Sequence, residues 1–321
     1  MNRYARQMQL PEVGETGQSK LRQTHVAVVG AGGLGCPVLQ YLAGAGIGKI
    51  SIFDPDEVEE SNLHRQPIYG MRDIGKPKAI AARDVLRDLN PQVDVLAHVE
   101  VLGPSKAPQI AASADIVIDA ADSFAASYIL SDACLTEGTP LVSASVLGQT
   151  GYVGAFCGGA PSLRAVFPDL PATGATCATA GVLGPVVGVI GALQAQISLR
   201  IALDAQPALG QMITADLSAL QFGGFCFLDS PEPEAAVHFL AKTMLQGSDL
   251  VVELRTEHET PEKICPQAKR LSESDMRKRD LVPGQRVVLC CQSGLRAWRA
   301  AKSLQARGET NLALLAARAC T

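Results

Sequence analysis

The chain has 321 residues, more than one hydrophobic core usually organises, so its length predicts about two domains. Hydrophobic residues make up 47% and charged residues 19%, a balance typical of a globular protein. The 28 basic and 32 acidic residues leave a net charge of −4, which offers no positive surface to a nucleic-acid backbone. Aromatic residues, at 4%, are too few to stack single-stranded bases. We therefore expect no nucleic-acid partner.

The composition also bears on the cellular compartment. The first residues lack the apolar run of a secretory signal, and nine cysteines include no Cys-x-x-Cys pair, so neither a disulfide framework nor structural zinc is predicted. We expect a cytoplasmic chain with reduced thiols. Residues 174–199 carry no charge and are long enough for a membrane helix. Because Pro185, Gln194 and Gln196 interrupt them, we expect instead a buried core helix, and no membrane partner.

A strand–turn–helix–strand unit lies near the amino terminus. His25–Val29 is an apolar run that predicts a strand, and Gly30–Gly35 is a glycine-rich turn. A helical segment at Pro37–Ala43 precedes a second predicted strand at Lys49–Asp54. Such a βαβ unit implies parallel strands.

The same alternation continues along the first two thirds of the chain. Helices are predicted at Lys78–Leu89 and Tyr128–Glu137, and strands at Val93–Val101, Asp115–Asp119 and Pro140–Ser143. This spacing predicts an α/β fold with a Rossmann-like, doubly wound open sheet.

An acidic, proline-rich stretch at Asp229–Glu234 indicates an exposed linker. We predict a first domain over 1–228, a linker over 229–235 and a smaller α/β domain over 236–321. The elements predicted in the smaller domain are a helix at Val237–Leu245, strands at Asp249–Leu254 and Arg286–Cys290, and a last helix through Ala297, Ala301 and Leu304.

The turn after the first strand fits the pattern G-x-G-x-x-G. Its glycines let the backbone approach a phosphate, whose charge the following helix N-terminus favours. Asp54, at the end of the second strand, stands where a carboxylate accepts a ribose hydroxyl. The commonest protein with this loop is a nicotinamide dehydrogenase, which stays open as an alternative. The candidate nucleotide-binding glycines are Gly30, Gly32, Gly33 and Gly35.

Charged residues after the loop favour a triphosphate over a dinucleotide. A triphosphate that releases pyrophosphate needs several cations and a carboxylate able to hold Mg²⁺. If Arg65, Lys78 and Asp122 converge in the fold, they supply this chemistry. Asp122 follows a predicted strand, at the edge where an open sheet binds ligands.

Several segments between residues 3 and 225 carry a family resemblance: Arg3–Gln7, Gly30–Gly35, Asp54–Asp56, Ser61–Gln66, Gly75–Lys78, Asp122, Thr176–Cys177 and Ala180–Pro185. Through them the chain resembles the adenylating enzymes of the MoeB/ThiF family, relatives of the ubiquitin-activating enzymes. Members use ATP to adenylate the C-terminal glycine carboxylate of a small ubiquitin-like sulfur-carrier protein. The resemblance implies ATP and Mg²⁺ as cofactors, a carrier protein ending in Gly-Gly as partner, and a homodimer.

The resemblance also implies roles for single residues. Asp54 holds the ribose, and Arg65 and Lys78 neutralise phosphates. Asp122 positions Mg²⁺, and Arg6 reaches the triphosphate bound to the other subunit. The further nucleotide contacts that it implies are Asp56, Asn62 and Gln66.

The chain departs from the family pattern in two places. The usual Asp-Asn, with an Arg four residues after the Asn, is here Asp122-Ser123 with Ser127 at the Arg position. The two Cys-x-x-Cys pairs that bind zinc in many members fall on 161–165 and 229–235, which contain no cysteine. No zinc site is predicted.

Cys291 begins a loop that opens the last predicted helix. A thiol in such a place faces backbone N–H groups, which favour the thiolate. Residues 234–321 resemble a rhodanese-type sulfurtransferase domain, shortened at its C-terminus, whose active-site loop has the form Cys-x-Ser-Gly-x-Arg. Cys291 falls at its persulfide-carrying position. In the MoeB/ThiF family a cysteine at the position of Cys177 attacks or resolves the activated carrier.

The combined prediction is an adenylyltransferase and sulfurtransferase that converts the carrier's carboxylate into a thiocarboxylate. Its sulfur would come from a desulfurase persulfide or from thiosulfate. Three alternatives stay open: a degenerate member of the superfamily, a member that acts on tRNA, and a nicotinamide-dependent oxidoreductase.

Overall fold

A computed structural model describes residues 2–170 and 181–319 of the protein. The larger of its two sheets contains both parallel and antiparallel strands. Its strands are β1 His25–Val29, β2 Lys49–Phe53, β3 Asp94–His98, β4 Ile116–Asp119, β5 Leu141–Leu147, β6 Thr150–Phe156, β7 Gln211–Asp216 and β8 Gln221–Cys226. They lie in the order β3-β2-β1-β4-β5-β6-β7-β8. The pairs from β3 to β5 are parallel, which confirms the predicted fold class. The antiparallel half from β6 to β8 was not predicted.

Helices cover both faces of the larger sheet. Their bounds are α1 Gly14–Gln23, α2 Gly35–Ala45, α3 Lys78–Leu89, α4 Ala107–Ser113, α5 Phe124–Glu137, α6 Leu163–Val166 and α7 Gly184–Ala202. One core cluster joins α2, α3 and α7 to one face, and another joins α4 and α5 to the opposite face. This double winding leaves the carboxyl ends of β1, β2 and β4 free to carry a site.

Helix α7 contains most of the uncharged stretch that the structure describes, from residue 181 onward, and extends past it to include Arg200. Among the described residues it is the one helix long and apolar enough to cross a membrane by length and composition. It packs against α2, β5 and β6, with Ile190 fully buried. Gln194 donates from Nε2 to the carbonyl oxygens of Asp119 at 2.7 Å and Val142 at 3.0 Å. These contacts explain a polar residue on the packed face, and we interpret α7 as a core helix.

A second, parallel sheet follows further along the chain. Its strands are β9 Leu250–Glu253, β10 Lys269–Arg270, β11 Val287–Cys291 and β12 Leu312–Ala316, in the order β10-β9-β11-β12. The helices beside it are α8 Glu273–Lys278 and α9 Leu295–Gln305.

The predicted helix at Val237–Leu245 is wrong. Val237, Phe239 and Ala241 are buried in alternation, the period of an extended chain, and Phe239 forms a parallel bridge with Leu314. Within this stretch only Lys242–Met244 forms a short 3-10 turn. An apolar run of this length fits a strand as well as a helix, and pairing with β12 decides for the extended form.

Polar contacts join the linker and the second sheet to the first part of the chain. Glu232 accepts hydrogen bonds from the backbone N–H and the hydroxyl of Ser162, both at 2.6 Å. Lys302 Nζ lies 2.9 Å from a carboxylate oxygen of Asp169. The exact limits of the domains, at 228 and 236, stay a prediction.

Candidate active site

The glycine loop lies between the end of β1 and the start of α2. Gly30 has a φ of +98°, and a Cβ there would lie 2.5 Å from the carbonyl oxygen of Ala120. A Cβ on Gly35 would collide with the carbonyl oxygen of Gly30. Both positions therefore require glycine. Gly32 and Gly33 are half-buried. A Cβ on Gly32 would meet only the Gln66 amide, at 3.6 Å, so a phosphate has room to approach there, whereas one on Gly33 would lie 2.7 Å from Val187.

Asp54 is buried at the carboxyl end of β2 and holds the glycine loop. Its Oδ2 accepts the backbone N–H of Ala31 at 2.7 Å, and its Oδ1 accepts that of Asp56 at 2.8 Å. Burial raises its pKa above the ordinary value, although these two hydrogen bonds oppose the rise. Each carboxylate oxygen has a further lone pair that a ribose hydroxyl can use.

Lys78 begins α3 and is buried beside Asp56. Its Nζ lies 3.1 Å from Oδ2 of Asp56, and its backbone N–H donates to the Asp56 carbonyl oxygen at 2.8 Å. The side chain of Asp56 is 68% exposed, whereas that of Lys78 is 7% exposed. The lysine charge is thus fixed in place while its carboxylate partner stays open to solvent.

Asn62, Arg65 and Gln66 gather on the other side of the loop. Asn62 Oδ1 accepts from a guanidinium nitrogen of Arg65 at 3.0 Å and from Nε2 of Gln66 at 3.2 Å. Arg65 lies against Gly33, because a Cβ built there would be 3.7 Å from its Cγ. The buried Oε1 of Gln66 has no hydrogen-bond partner among the described residues. A buried acceptor without a partner fits a ligand that brings a donor, as the hydroxyls and amino group of a nucleotide do.

Asp122 is exposed just beyond β4, after the residues that contact Gly30. Mg²⁺ that also binds substrate phosphates needs one or two protein carboxylates, so Asp122 fits that role. No group of three or more His, Cys, Asp or Glu side chains that could hold a metal occurs among the described residues. Ser127 donates to the Ser123 carbonyl oxygen at 3.3 Å, so the family's Arg position supplies no cation here.

Asp119 lies beneath this turn and is fully buried. Its carboxylate accepts the Ser143 hydroxyl at 2.7 Å and the backbone N–H of Ala121 at 3.2 Å. Burial raises its pKa to about 6, against the hydrogen bonds that stabilise the anion. Asp119 therefore supports the turn that carries Asp122.

Two predicted residues are not gathered with the others. Arg6 is exposed next to Gln7, whose Nε2 donates to the Ala45 carbonyl oxygen at 2.8 Å, at the C-terminal end of α2. The glycine loop lies at the opposite end of this helix, which is about 15 Å long. Within one chain Arg6 therefore stays away from the loop. Cys177 lies outside the described residues.

Cys291 ends β11 and is 1% exposed. The backbone N–H of Ala297, in α9, donates to its Sγ at 3.4 Å. Arg296 is bound by Glu259 at 2.6 and 3.0 Å, and this contact lowers the pKa of the Glu259 carboxyl to about 2. The sequence predicts a thiol at the mouth of the loop, whereas the structure places it underneath.

Sequence reasoning missed Tyr69. Its hydroxyl lies 2.8 Å from the carbonyl oxygen of Ala31 in the glycine loop and 3.2 Å from that of Lys78. The signal in the sequence that could have pointed to Tyr69 is its place between Ser61–Gln66 and Gly75–Lys78, two segments that carry the family resemblance.

Comparison with known proteins identifies the class. The sequence profile of the ThiF family matches residues 4–235, and the chain belongs to this family. The family match ends before the second sheet, so the resemblance of residues 234–321 to a rhodanese stays a prediction.

Three relatives show what kinds of protein this chain is similar to. The chain is 45% identical to "Adenylyltransferase and sulfurtransferase uba4" of Aspergillus niger over 211 residues, which cover 62% of this chain and 44% of that protein. It is 41% identical to a "Sulfur carrier protein adenylyltransferase" of Thermus thermophilus, over 69% of this chain and 85% of that protein. It is 38% identical to "SAMP-activating enzyme E1" of Haloferax volcanii, over 72% and 87%. The chain thus spans less than half the length of the first of these relatives.

Solved structures show the same fold. E. coli MccB with ATP superposes with a TM-score of 0.62 at 23% identity, over 72% of each chain. E. coli MccB with MccA-N7isoASN gives 0.63 at 21% identity, over 70% of this chain and 71% of that one.

Proposed function

We propose that the chain uses ATP to adenylate the C-terminal glycine carboxylate of a small ubiquitin-like sulfur-carrier protein ending in Gly-Gly, and that it does so as a cytoplasmic homodimer. The observation that carries this proposal is that Asp54 and Arg65 contact the glycine loop, while Lys78 is joined to it through Asp56 and Tyr69. The names of the Thermus and Haloferax relatives support it.

The chain's own residues would serve the first step through charge. A carboxylate oxygen of the carrier attacks the α-phosphorus of ATP, the bond from that phosphorus to the bridging oxygen breaks, and pyrophosphate leaves. Lys78 and Arg65 stabilise the negative charge on the phosphates, and Arg6 of a second copy adds to them. When bound, Mg²⁺ would neutralise charge on the pyrophosphate, and Asp122 is the carboxylate that would hold it.

We further propose that the second unit supplies sulfur through a persulfide on Cys291. The outer sulfur attacks the acyl carbon, AMP leaves, and an acyl disulfide joins the carrier to Cys291. A thiol, either Cys177 or an external one, then attacks the Cys291 sulfur, which releases the thiocarboxylate and leaves a disulfide for a second thiol to reduce. Desulfurase persulfide or thiosulfate would reload Cys291. The Cys-x-Ser-Gly-x-Arg loop and the printed name of the Aspergillus relative support this step.

ATP–pyrophosphate exchange with a panel of Gly-Gly carriers tests the adenylation. We expect exchange with one carrier, lost when its terminal glycine is deleted. ATP binding without exchange for any carrier would contradict the proposal and favour a tRNA-acting or degenerate relative. No ATP binding would favour the nicotinamide-dependent oxidoreductase.

A further inference from the structure

A closed ring of hydrogen bonds joins the glycine loop to Lys78. Asp54 accepts the backbone N–H groups of Ala31, at 2.7 Å, and Asp56, at 2.8 Å. The backbone N–H of Lys78 donates to the Asp56 carbonyl oxygen at 2.8 Å. The Tyr69 hydroxyl closes the ring between the carbonyl oxygens of Lys78, at 3.2 Å, and Ala31, at 2.8 Å. Segments distant in sequence are thereby held at fixed separations.

Tyr69 is the member of this ring whose contribution is a neutral side-chain hydroxyl. The residue is 6% exposed, and burial raises its pKa further above the ordinary tyrosine value. The phenol therefore stays protonated and keeps its donor at any pH where the protein works. Its single proton is shared between two carbonyl oxygens, so the hydroxyl restrains both at once. Substitution of Tyr69 by Phe would remove this link, while the packing of the aromatic side chain and every charge would stay in place.

We propose that Tyr69 is a positioning residue of the nucleotide site, which sets the glycine loop relative to the charge of Lys78. The inference rests on the proposed use of ATP. Tyr69 does not itself reach the phosphates; it acts through the backbone of Ala31 and Lys78. With the ring open, ATP has to order the loop as it binds, which weakens binding of the nucleotide more than it slows the chemical step.

The matched pair Tyr69→Phe and Tyr128→Phe isolates this role. Tyr128 is 4% exposed and donates to the Phe167 carbonyl oxygen at 2.6 Å, outside the ring. The probes are the dissociation constant of Mg²⁺–ATP by calorimetry, and KM for ATP and kcat in carrier-dependent pyrophosphate exchange. For Tyr69→Phe we expect the dissociation constant and KM to rise about five- to tenfold, the loss of roughly one hydrogen bond, while kcat changes less than about twofold. Tyr128→Phe should leave all three within about twofold of the wild type.

Hydrogen exchange of the whole protein gives a second measurement that needs no activity. The amides of Ala31 and Lys78 should exchange faster in Tyr69→Phe than in the wild type or in Tyr128→Phe. Equal ATP affinities in the two variants, or a fall in kcat at unchanged KM, would overturn the proposal. So would unfolding of Tyr69→Phe alone, because the hydroxyl would then serve the fold rather than the site.

The same data separate this inference from the proposed function. If the wild type binds ATP but exchanges pyrophosphate with no carrier, adenylation of a carrier fails while the affinity comparison still decides the role of Tyr69. If the wild type does not bind Mg²⁺–ATP, both proposals are overturned together.

Discussion

The two candidate chemical centres both lie where parallel strands end. They differ in the exposure and in the partners of their polar and charged side chains. Beside the glycine loop, buried Lys78 faces an exposed Asp56, and Gln66 holds a buried acceptor without a partner among the described residues. At the second centre, Cys291 is covered and Arg296 is engaged by both oxygens of Glu259. The first centre therefore offers a fixed cation and an acceptor that a ligand's donor can use, whereas at the second centre the thiol is buried.

Removal of the Lys78 charge should affect adenylation strongly. Lys78→Ala should lower pyrophosphate exchange by at least about 100-fold, because a fixed charge at the phosphates is lost. Sulfur transfer from thiosulfate to a small thiol, which needs only the second centre, should be unchanged. Lys76→Ala is the control, since Lys76 is exposed and pairs with the buried carboxylate of Asp73. Equal losses in Lys78→Ala and Lys76→Ala would contradict the assignment.

Gly30→Ala and Gly294→Ala introduce similar steric strain at the first and the second centre, so their effects on the two activities can be compared. Gly294 has a φ of +88°, and a Cβ there would lie 2.6 Å from the Phe239 ring, much as one on Gly30 would meet Ala120. Each change to Ala should lower the free energy of unfolding by about 2–4 kcal/mol. Gly30→Ala should abolish ATP binding but spare thiosulfate turnover, and Gly294→Ala should do the reverse.

Thermal unfolding and the two activities measure this separation. The control is Gly44→Ala in α2, where nothing lies within 4 Å of the added Cβ. If Gly30→Ala and Gly294→Ala impair both activities alike, the centres are not independent.

The buried carboxyl of Asp119, beneath the turn that carries Asp122, should make the stability of the protein depend on pH. The pKa of Asp119 is raised from 3.8 to about 6 by burial, so the folded chain binds more protons than the unfolded chain between these values. Stability therefore falls as the pH rises through this window, by on the order of 2–3 kcal/mol. Asp119→Asn should be more stable than the wild type at pH 8, with the difference shrinking towards about pH 4.

Chemical denaturation across the pH range checks the sign. Asp122→Asn, which changes an exposed carboxylate nearby, serves as the control and should not show the same dependence. A wild type that gains stability relative to Asp119→Asn as the pH rises would contradict the burial argument.

The ion pair between Glu259 and Arg296, beside the second centre, should contribute little to stability. The pKa of Glu259 is depressed to about 2, first by its hydrogen bond with Arg296. This pair therefore adds stability above the unfolded value of about 4.5, and loses it as the pH falls through about 2. Because both side chains are partly exposed, we expect only a small drop in melting temperature for Glu259→Gln at pH 7.

That drop should be absent near pH 2, and Glu257→Gln, which changes an exposed neighbour, should show none at either pH. An equal drop at pH 7 for Glu257→Gln would show that the pair with Arg296 is not the cause.

The sequence predicted the parts of this fold that repeat a local pattern. β1 occupies His25–Val29 and α3 occupies Lys78–Leu89, residue for residue as predicted. The first is a short apolar run that ends at the glycine turn, and the second is a stretch with helical composition that begins after Pro77. The edge strand β8 escaped prediction because Phe222 and Phe225 are both exposed while Gly223 and Gly224 separate them, so no buried face alternates with a polar one.

At the candidate site, the sequence pattern predicted the charged residues but not the residues that act through hydrogen bonds and packing within the fold. Arg65 and Lys78 stand out by residue type; Arg65 lies against Gly33, and Lys78 pairs with Asp56. Tyr69 and the cover over Cys291 depend on which strands become neighbours, and that is decided by packing far along the chain. Local patterns do not contain this information.

Intact mass spectrometry of the carrier distinguishes adenylation at the first centre from sulfur transfer at the second. The carrier is incubated with Mg²⁺–ATP, a sulfur donor and either the wild type, Cys291→Ser or the control Cys290→Ala, which alters the opposite face of β11. We predict thiocarboxylate with the wild type and with Cys290→Ala. With Cys291→Ser we predict none, although pyrophosphate exchange continues at the wild-type rate. Thiocarboxylate formed by Cys291→Ser, or exchange lost together with it, would contradict the account.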